Sequence, residues 1–126
     1  MATTLDPTRY RIDPIDDGWM AGDSRTLNFT VVQGGDPKDI TNDEVEWYLI
    51  ERPYHKPAEA LLSGDDASVD IRTEDVVDPT AGEFRVDIKP EATECLWGEY
   101  HQLVVVDPPV ASRQSWRGDV VVEAQR

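Results

Sequence analysis

Apolar residues in this chain recur at every second position, in short runs that turn-forming residues interrupt. Leu27, Phe29 and Val31 alternate with Thr26, Asn28 and Thr30. Val45, Trp47 and Leu49 alternate with Glu46, Tyr48 and Ile50, and Phe84, Val86 and Ile88 with Arg85, Asp87 and Lys89. A period of two is that of a strand with one buried face, because successive side chains leave a strand on opposite sides. The interruptions are Asp16-Asp17-Gly18, Gly34-Gly35-Asp36-Pro37, Gly64-Asp65-Asp66, Asp78-Pro79-Thr80-Ala81-Gly82 and Pro108-Pro109. Glycine there supplies positive φ, and proline removes a ladder donor. No segment keeps a helical period for long, so the pattern predicts an all-β fold.

Strands are expected over residues 24–33, 45–52, 68–73, 84–89, 100–107 and 115–123, with a short one at 60–63. The consecutive valines Val104, Val105 and Val106 predict burial on both faces in mid-strand. Residues 90–97 begin with proline and are followed by Gly98, which suits a helical connector of one or two turns. Seven or eight short strands with one short helical connector predict an immunoglobulin-like antiparallel β-sandwich. Residues 1–15, which carry Pro14, read as an extended arm or edge strand, and residues 16–126 as the sandwich itself. A chain of 126 residues can bury a core as one domain. No stretch is apolar enough to span a bilayer as a helix, and residues 1–10 lack the apolar run of a signal peptide.

Charge narrows the partners. There are 26 acidic and 12 basic residues, for a formal net charge of -14. Such a surface repels nucleic acid and anionic membranes, so neither is expected as a partner. The acids are scattered from Asp6 to Glu123 rather than gathered in a tail. Aspartate outnumbers glutamate, and the bases are nine arginines against Lys38, Lys56 and Lys89. This composition resembles that of proteins from halophilic archaea, in which a charged coat keeps the chain soluble in concentrated salt.

Catalytic chemistry finds little purchase. There is no Gly-x-Ser-x-Gly elbow, and Gly34-Gly35 lacks the lysine and helix of a phosphate-cradling loop. His55 and His101 share no metal-ligand spacing, and Cys95, the single cysteine, reads as a small buried hydrophobe. Asp13, Asp16, Asp17 and Asp23, and Asp65-Asp66 in another turn, are the residues from which a calcium site could be built, without an EF-hand pattern. Asn28-Phe29-Thr30 matches a glycosylation acceptor. No cofactor is expected, and the chain reads as non-enzymatic.

The aromatics point to binding. Trp47 suits the core position that immunoglobulin-like sandwiches often give to tryptophan, and Trp97 is expected beneath the helical connector. Trp19, Tyr54 and Trp116 are the expected protein-interface residues, since exposed aromatics concentrate at interfaces.

The segment Leu96-Trp97-Gly98-Glu99-Tyr100 looks like a tyrosine corner, in which a strand-opening tyrosine bonds back to the upstream backbone. The wider order is Gly22-Asp23, Asp39-Ile40-Thr41, Gly82-Glu83-Phe84-Arg85-Val86-Asp87-Ile88, the Leu96–Tyr100 connector, and Gly118-Asp119-Val120-Val121-Val122. It resembles the immunoglobulin-like β-sandwich modules of tailed phages, found in tail, baseplate and head-decoration proteins. The loops at 53–57 and 108–112 and the arm at 1–15 depart from that pattern. The resemblance implies a virion structural protein: a capsid decoration or cement protein, or a component of the neck, tail or baseplate. Its partners would be other virion proteins, in symmetric copies. Joined to the acidic composition, it implies a virus of a haloarchaeon. A carbohydrate-binding or host-surface adhesion module is the alternative.

Overall fold

The computed structural model describes residues 2–109 and 111–124. The chain forms an all-β, immunoglobulin-like sandwich of two sheets. Its strands are β1 (Thr3–Leu5), β2 (Arg25–Gln33), β3 (Asp36–Pro37), β4 (Glu44–Ile50), β5 (Leu62–Ser63), β6 (Val69–Arg72), β7 (Glu83–Ile88), β8 (Gly98–Asp107) and β9 (Gln114–Val122). The first sheet runs β1-β2-β7-β6, with β3 beside the end of β2, and the second runs β5-β4-β8-β9. All pairings between these strands are antiparallel except that of β1 with β2.

Alternation sets the core. Leu27, Phe29 and Val31 of β2 and Phe84, Val86 and Ile88 of β7 point inward to meet Trp47 and Leu49 of β4 and Val104 and Val106 of β8. Phe29 and Phe84, paired across the strands, stack with centroids 4.9 Å apart. Trp47 is fully buried, and its indole N–H donates to Gln102 Oε1 at 2.9 Å. Each of these polar groups is therefore satisfied where water is excluded.

The expected helical connector is a single 3-10 turn at Pro90–Ala92. Beyond it the Tyr100 hydroxyl donates to the Trp97 carbonyl at 3.0 Å, the upstream bond of a tyrosine corner. Trp97 does not pack beneath the connector: its side chain is 64% exposed, because the corner holds its carbonyl and turns the indole out. Cys95, expected to be buried, is exposed.

The segment before β2 lies against the sandwich. Leu5 is fully buried, and β1, within the segment read as an extended arm or edge strand, pairs with Phe29 to Val31 at the edge of the first sheet. The chain then turns and runs beside β9, bridging Arg11 to Arg117, Ile15 to Val120 and Met20 to Glu123. Ile12, Ile15 and Trp19 enter the common core from this segment.

Candidate interaction surface

The two sheets present chemically opposite outer faces. On the first, Thr26 and Arg85, Asp87, Asp70 and Arg72 form a polar ladder. Arg85 and Arg72 both reach the Asp87 carboxylate, at 3.1 and 3.5 Å, and Thr26 bonds to it at 3.1 Å. Asn28, the residue of the glycosylation pattern, stands exposed on β2. On the second sheet the outward residues Ile50, Leu103 and Val105 are buried, and they form a separate apolar cluster with Tyr48 and Ala60. These residues are buried although they point away from the core, and the β4–β5 connection beside them supplies Ala60.

Arg117 fixes that connection. Outward on β9 and opposite Leu103, its guanidinium donates to the Pro53 carbonyl at 2.6 Å and the His55 carbonyl at 3.1 Å. His55 Nε2 lies 3.6 Å from Glu59, whose carboxylate also accepts the Lys56 backbone N–H at 3.0 Å. The turn so held lifts Tyr54 outward, 74% exposed, with its ring edge-on to His55 at 5.2 Å. The backbone of Arg117 in turn accepts the leading segment, donating to the Tyr10 carbonyl at 2.8 Å and accepting the Ile12 N–H at 2.9 Å. Tyr10 is 68% exposed. One arginine thus joins the two segments that carry exposed tyrosines, Arg9-Tyr10-Arg11 and Arg52-Pro53-Tyr54-His55-Lys56.

Of the three expected interface residues, only Tyr54 is on the surface. Trp19 and Trp116 are corrected to core residues, 3% and 0% exposed. The Trp116 indole N–H donates to the Asp6 carbonyl at 2.8 Å, so this side chain seats the leading segment. Trp19 donates to the Asp23 carbonyl at 3.2 Å and lies under the Arg25 guanidinium, 5.6 Å from its ring. Both tryptophans are buried by the segment before β2, whose course along β9 the strand pattern did not contain. Sequence reasoning passed over Tyr10, Arg11 and Arg117; their alternation of base and aromatic was the available signal.

Elsewhere the chemistry is sparse. His101 Nδ1 lies 3.0 Å from Asp119 across β8 and β9, beside a depression of about 290 Å³ that Pro14, Asp16 and Glu99 also line. No serine or cysteine joins this pair in the hydrogen bonds of the described residues. Among the calcium candidates, Asp17 is engaged by Arg25 at 2.7 and 2.9 Å, which holds its carboxyl below the usual range. Asp66 accepts the Ser63 N–H at 2.7 Å. No group of three or more His, Cys, Asp or Glu side chains converges on one point among the described residues. On the apolar outer face, burial and then a hydrogen bond to the Glu46 carboxylate push the Tyr48 phenol up to about 12.

The arrangement defines a class of protein: an immunoglobulin-like sandwich whose second sheet carries a pinned, aromatic, basic loop. Solved structures agree with the fold. The chain is similar to the N-terminal domain of phage TP901-1 ORF48, at 15% identity and a TM-score of 0.59, over 96% of this chain and 95% of that one. It is also similar to the N-terminal Ig1-2 module of the Drosophila receptor protein tyrosine phosphatase DLAR, at 11% identity and a TM-score of 0.52, over 88% of this chain and 46% of that one. No protein-family model matches the chain, and no curated protein sequence matches it.

Proposed function

We propose that this protein is a non-enzymatic structural component of a tailed-virus particle, acting by surface complementarity with other virion proteins. The observation that carries this reading is the end-to-end similarity to a domain of a phage protein, which takes in the leading segment as well as the sandwich. The pinned loop bearing Tyr54 supports it, because a rigid exposed aromatic gives contact area at small entropic cost. The finer placement is a capsid decoration or cement protein, or a neck, tail or baseplate component. The acidic coat, with arginine in place of most lysine, fits a particle assembled in the concentrated salt of a haloarchaeal host.

The test is mass spectrometry of virus particles purified from a culture that carries the gene, followed by immunogold labelling of the particles. The protein is expected in the purified particles, at one morphological position. Particles of full infectivity that lack it would remove the proposal.

A further inference from the structure

The geometry points to a second copy of this chain as the occupant of the basic aromatic surface, docked through the acidic β6–β7 loop in a head-to-tail contact. The inference rests on the reading of the chain as an assembly module and names one of its partners.

The donor surface is unusual for this molecule. Residues 9–11 and 52–56, together with Arg117, hold five of the chain's 12 basic residues, with Glu51 and Glu59 at the margins of the second segment, while the chain as a whole carries 26 acids. At its centre stands Tyr54, exposed and held by Arg117. The acceptor has the inverse pattern. Residues 73–84 hold four acids and no base. Within them the Val76 N–H donates to the Glu74 carbonyl at 2.8 Å across Asp75, whose φ is +68°. This is a tight γ-turn, and it leaves Val76 53% exposed, with Glu74 and Asp75 before it and Asp78 two residues on. One tip is an aromatic ring flanked by bases, the other an aliphatic side chain flanked by acids.

The two tips cannot meet within one molecule. The β6–β7 loop belongs to the first sheet and sits at the end where β2 passes to β4, as the bond from the Ile40 N–H to the Pro79 carbonyl shows. The β4–β5 connection leaves the second sheet from the other end and covers its outer face. A contact between unlike patches on copies of one chain is heterologous, so it closes into a ring or continues as a filament.

Net charge opposes association of two copies at -14 each. The Debye length is about 8 Å at about 0.15 M salt and about 3 Å at about 1 M, so the repulsion between distant charges is screened, most of all in concentrated salt, while charges a few ångströms apart in the contact still act.

The experiment is sedimentation velocity of the full chain over a concentration series at about 0.15 M salt, with two charge variants. Arg52→Glu/Lys56→Glu replaces two of the five bases of the basic surface with acids. Glu74→Lys/Asp75→Asn lowers the charge of residues 73–84 from -4 to -1 and keeps a residue that tolerates positive φ at position 75. The wild type is expected to self-associate. Each variant alone is expected to associate at least about tenfold more weakly, because one side of the contact has then lost most of its charge. An equimolar mixture of the two variants is expected to recover association, since the unaltered basic surface of one meets the unaltered acidic tip of the other. Tyr54→Ala, at an exposed position, is expected to weaken association without changing the melting temperature. A wild type that stays monomeric, or charge variants that associate as it does, would overturn the head-to-tail contact. A monomeric wild type that is still found in virus particles would do so while leaving the assembly reading standing.

Discussion

Replacing Gly118 with alanine tests how the segment before β2 is seated. A Cβ at this position would lie 2.7 Å from Ile12 Cγ1, 3.1 Å from the Ile12 carbonyl oxygen and 3.4 Å from its Cδ1. Ile12 is part of the common core, so it cannot swing away without giving up its burial. Overpacking of this kind costs about 1–3 kcal/mol. Ile12→Ala by itself removes buried aliphatic surface and leaves a void, at about 2–5 kcal/mol. The two costs are not expected to add. Truncating Ile12 deletes two of the three atoms that the new methyl meets, and the methyl then fills part of the void. The double variant should exceed the additive expectation by about 1–2 kcal/mol, or roughly 4 °C per kcal/mol in melting temperature for a domain of this size. Urea unfolding of the wild type, both singles and the double, at matched m-values, gives the coupling directly. Additivity within about 0.5 kcal/mol would refute the seating of Ile12 on Gly118.

Gly82→Ala is expected to cost more, about 3 kcal/mol or above. Its φ is +76°, and the added Cβ would meet main-chain oxygens of Val31 and Lys38 at 2.4 and 2.8 Å. No side chain can be trimmed to relieve it, and a loss below about 1 kcal/mol in urea unfolding would contradict this account. Tyr48, raised to about 12, is held neutral by the fold. Its contribution is whole below the ordinary tyrosine value of about 10 and is lost as pH rises through 12. Tyrosinate absorbance should lose its most alkaline step in Tyr48→Phe, and an unchanged titration would count against the contact with Glu46. Arg117→Met keeps an apolar stem over Leu103 but removes both bonds to the β4–β5 connection. Proteolysis at residues 52–56 should accelerate while the melting temperature falls by only a few degrees, and an unchanged cleavage pattern would show that the arginine does not hold the loop. Melting in KCl should be lowest in dilute buffer, where self-repulsion at -14 is least screened. Equal values at about 0.1 M and 3 M would refute salt adaptation as the meaning of the acidity.

The strands that alternate cleanly were legible because one face of each is wet and the other dry. Leu27, Phe29 and Val31 against Thr26, Asn28 and Thr30 read the same in sequence and in space. β8 was legible for the opposite reason, since both of its faces are covered and Leu103, Val104, Val105 and Val106 form a continuous apolar run. What alternation could not supply was cover added from outside the sheets. Ile50 falls on the polar side of β4 by parity, yet it is buried beside the β4–β5 connection. Trp116 and Trp19 were expected at an interface, and the segment that covers Trp116 and carries Trp19 has only isolated bridges to β9, too widely spaced to show as a strand pattern. Of the binding surface, Tyr54 was legible as an aromatic on a loop bounded by prolines. Arg117 was not, because its role depends on a pairing 64 residues away in sequence.

The burial of Trp19 and Trp116 moves the place where partners can act. If the tryptophans had stood outside, the edge beside β9 would have been the natural contact. Instead that edge is closed by the chain's own leading segment, and the outer face of the second sheet is partly closed by the β4–β5 connection. The first sheet's outer face is a ladder of ion pairs and hydroxyls that water serves as well as any partner. Among the described residues, the large exposed apolar side chains are Tyr54, Tyr10, Trp97, Leu61 and Val76. A sandwich whose β9 edge is closed by its own leading segment and whose second sheet is partly covered binds through its loops, and a loop fixed by its own sheet, as Arg117 fixes residues 53–55, loses little entropy when a neighbour closes over it.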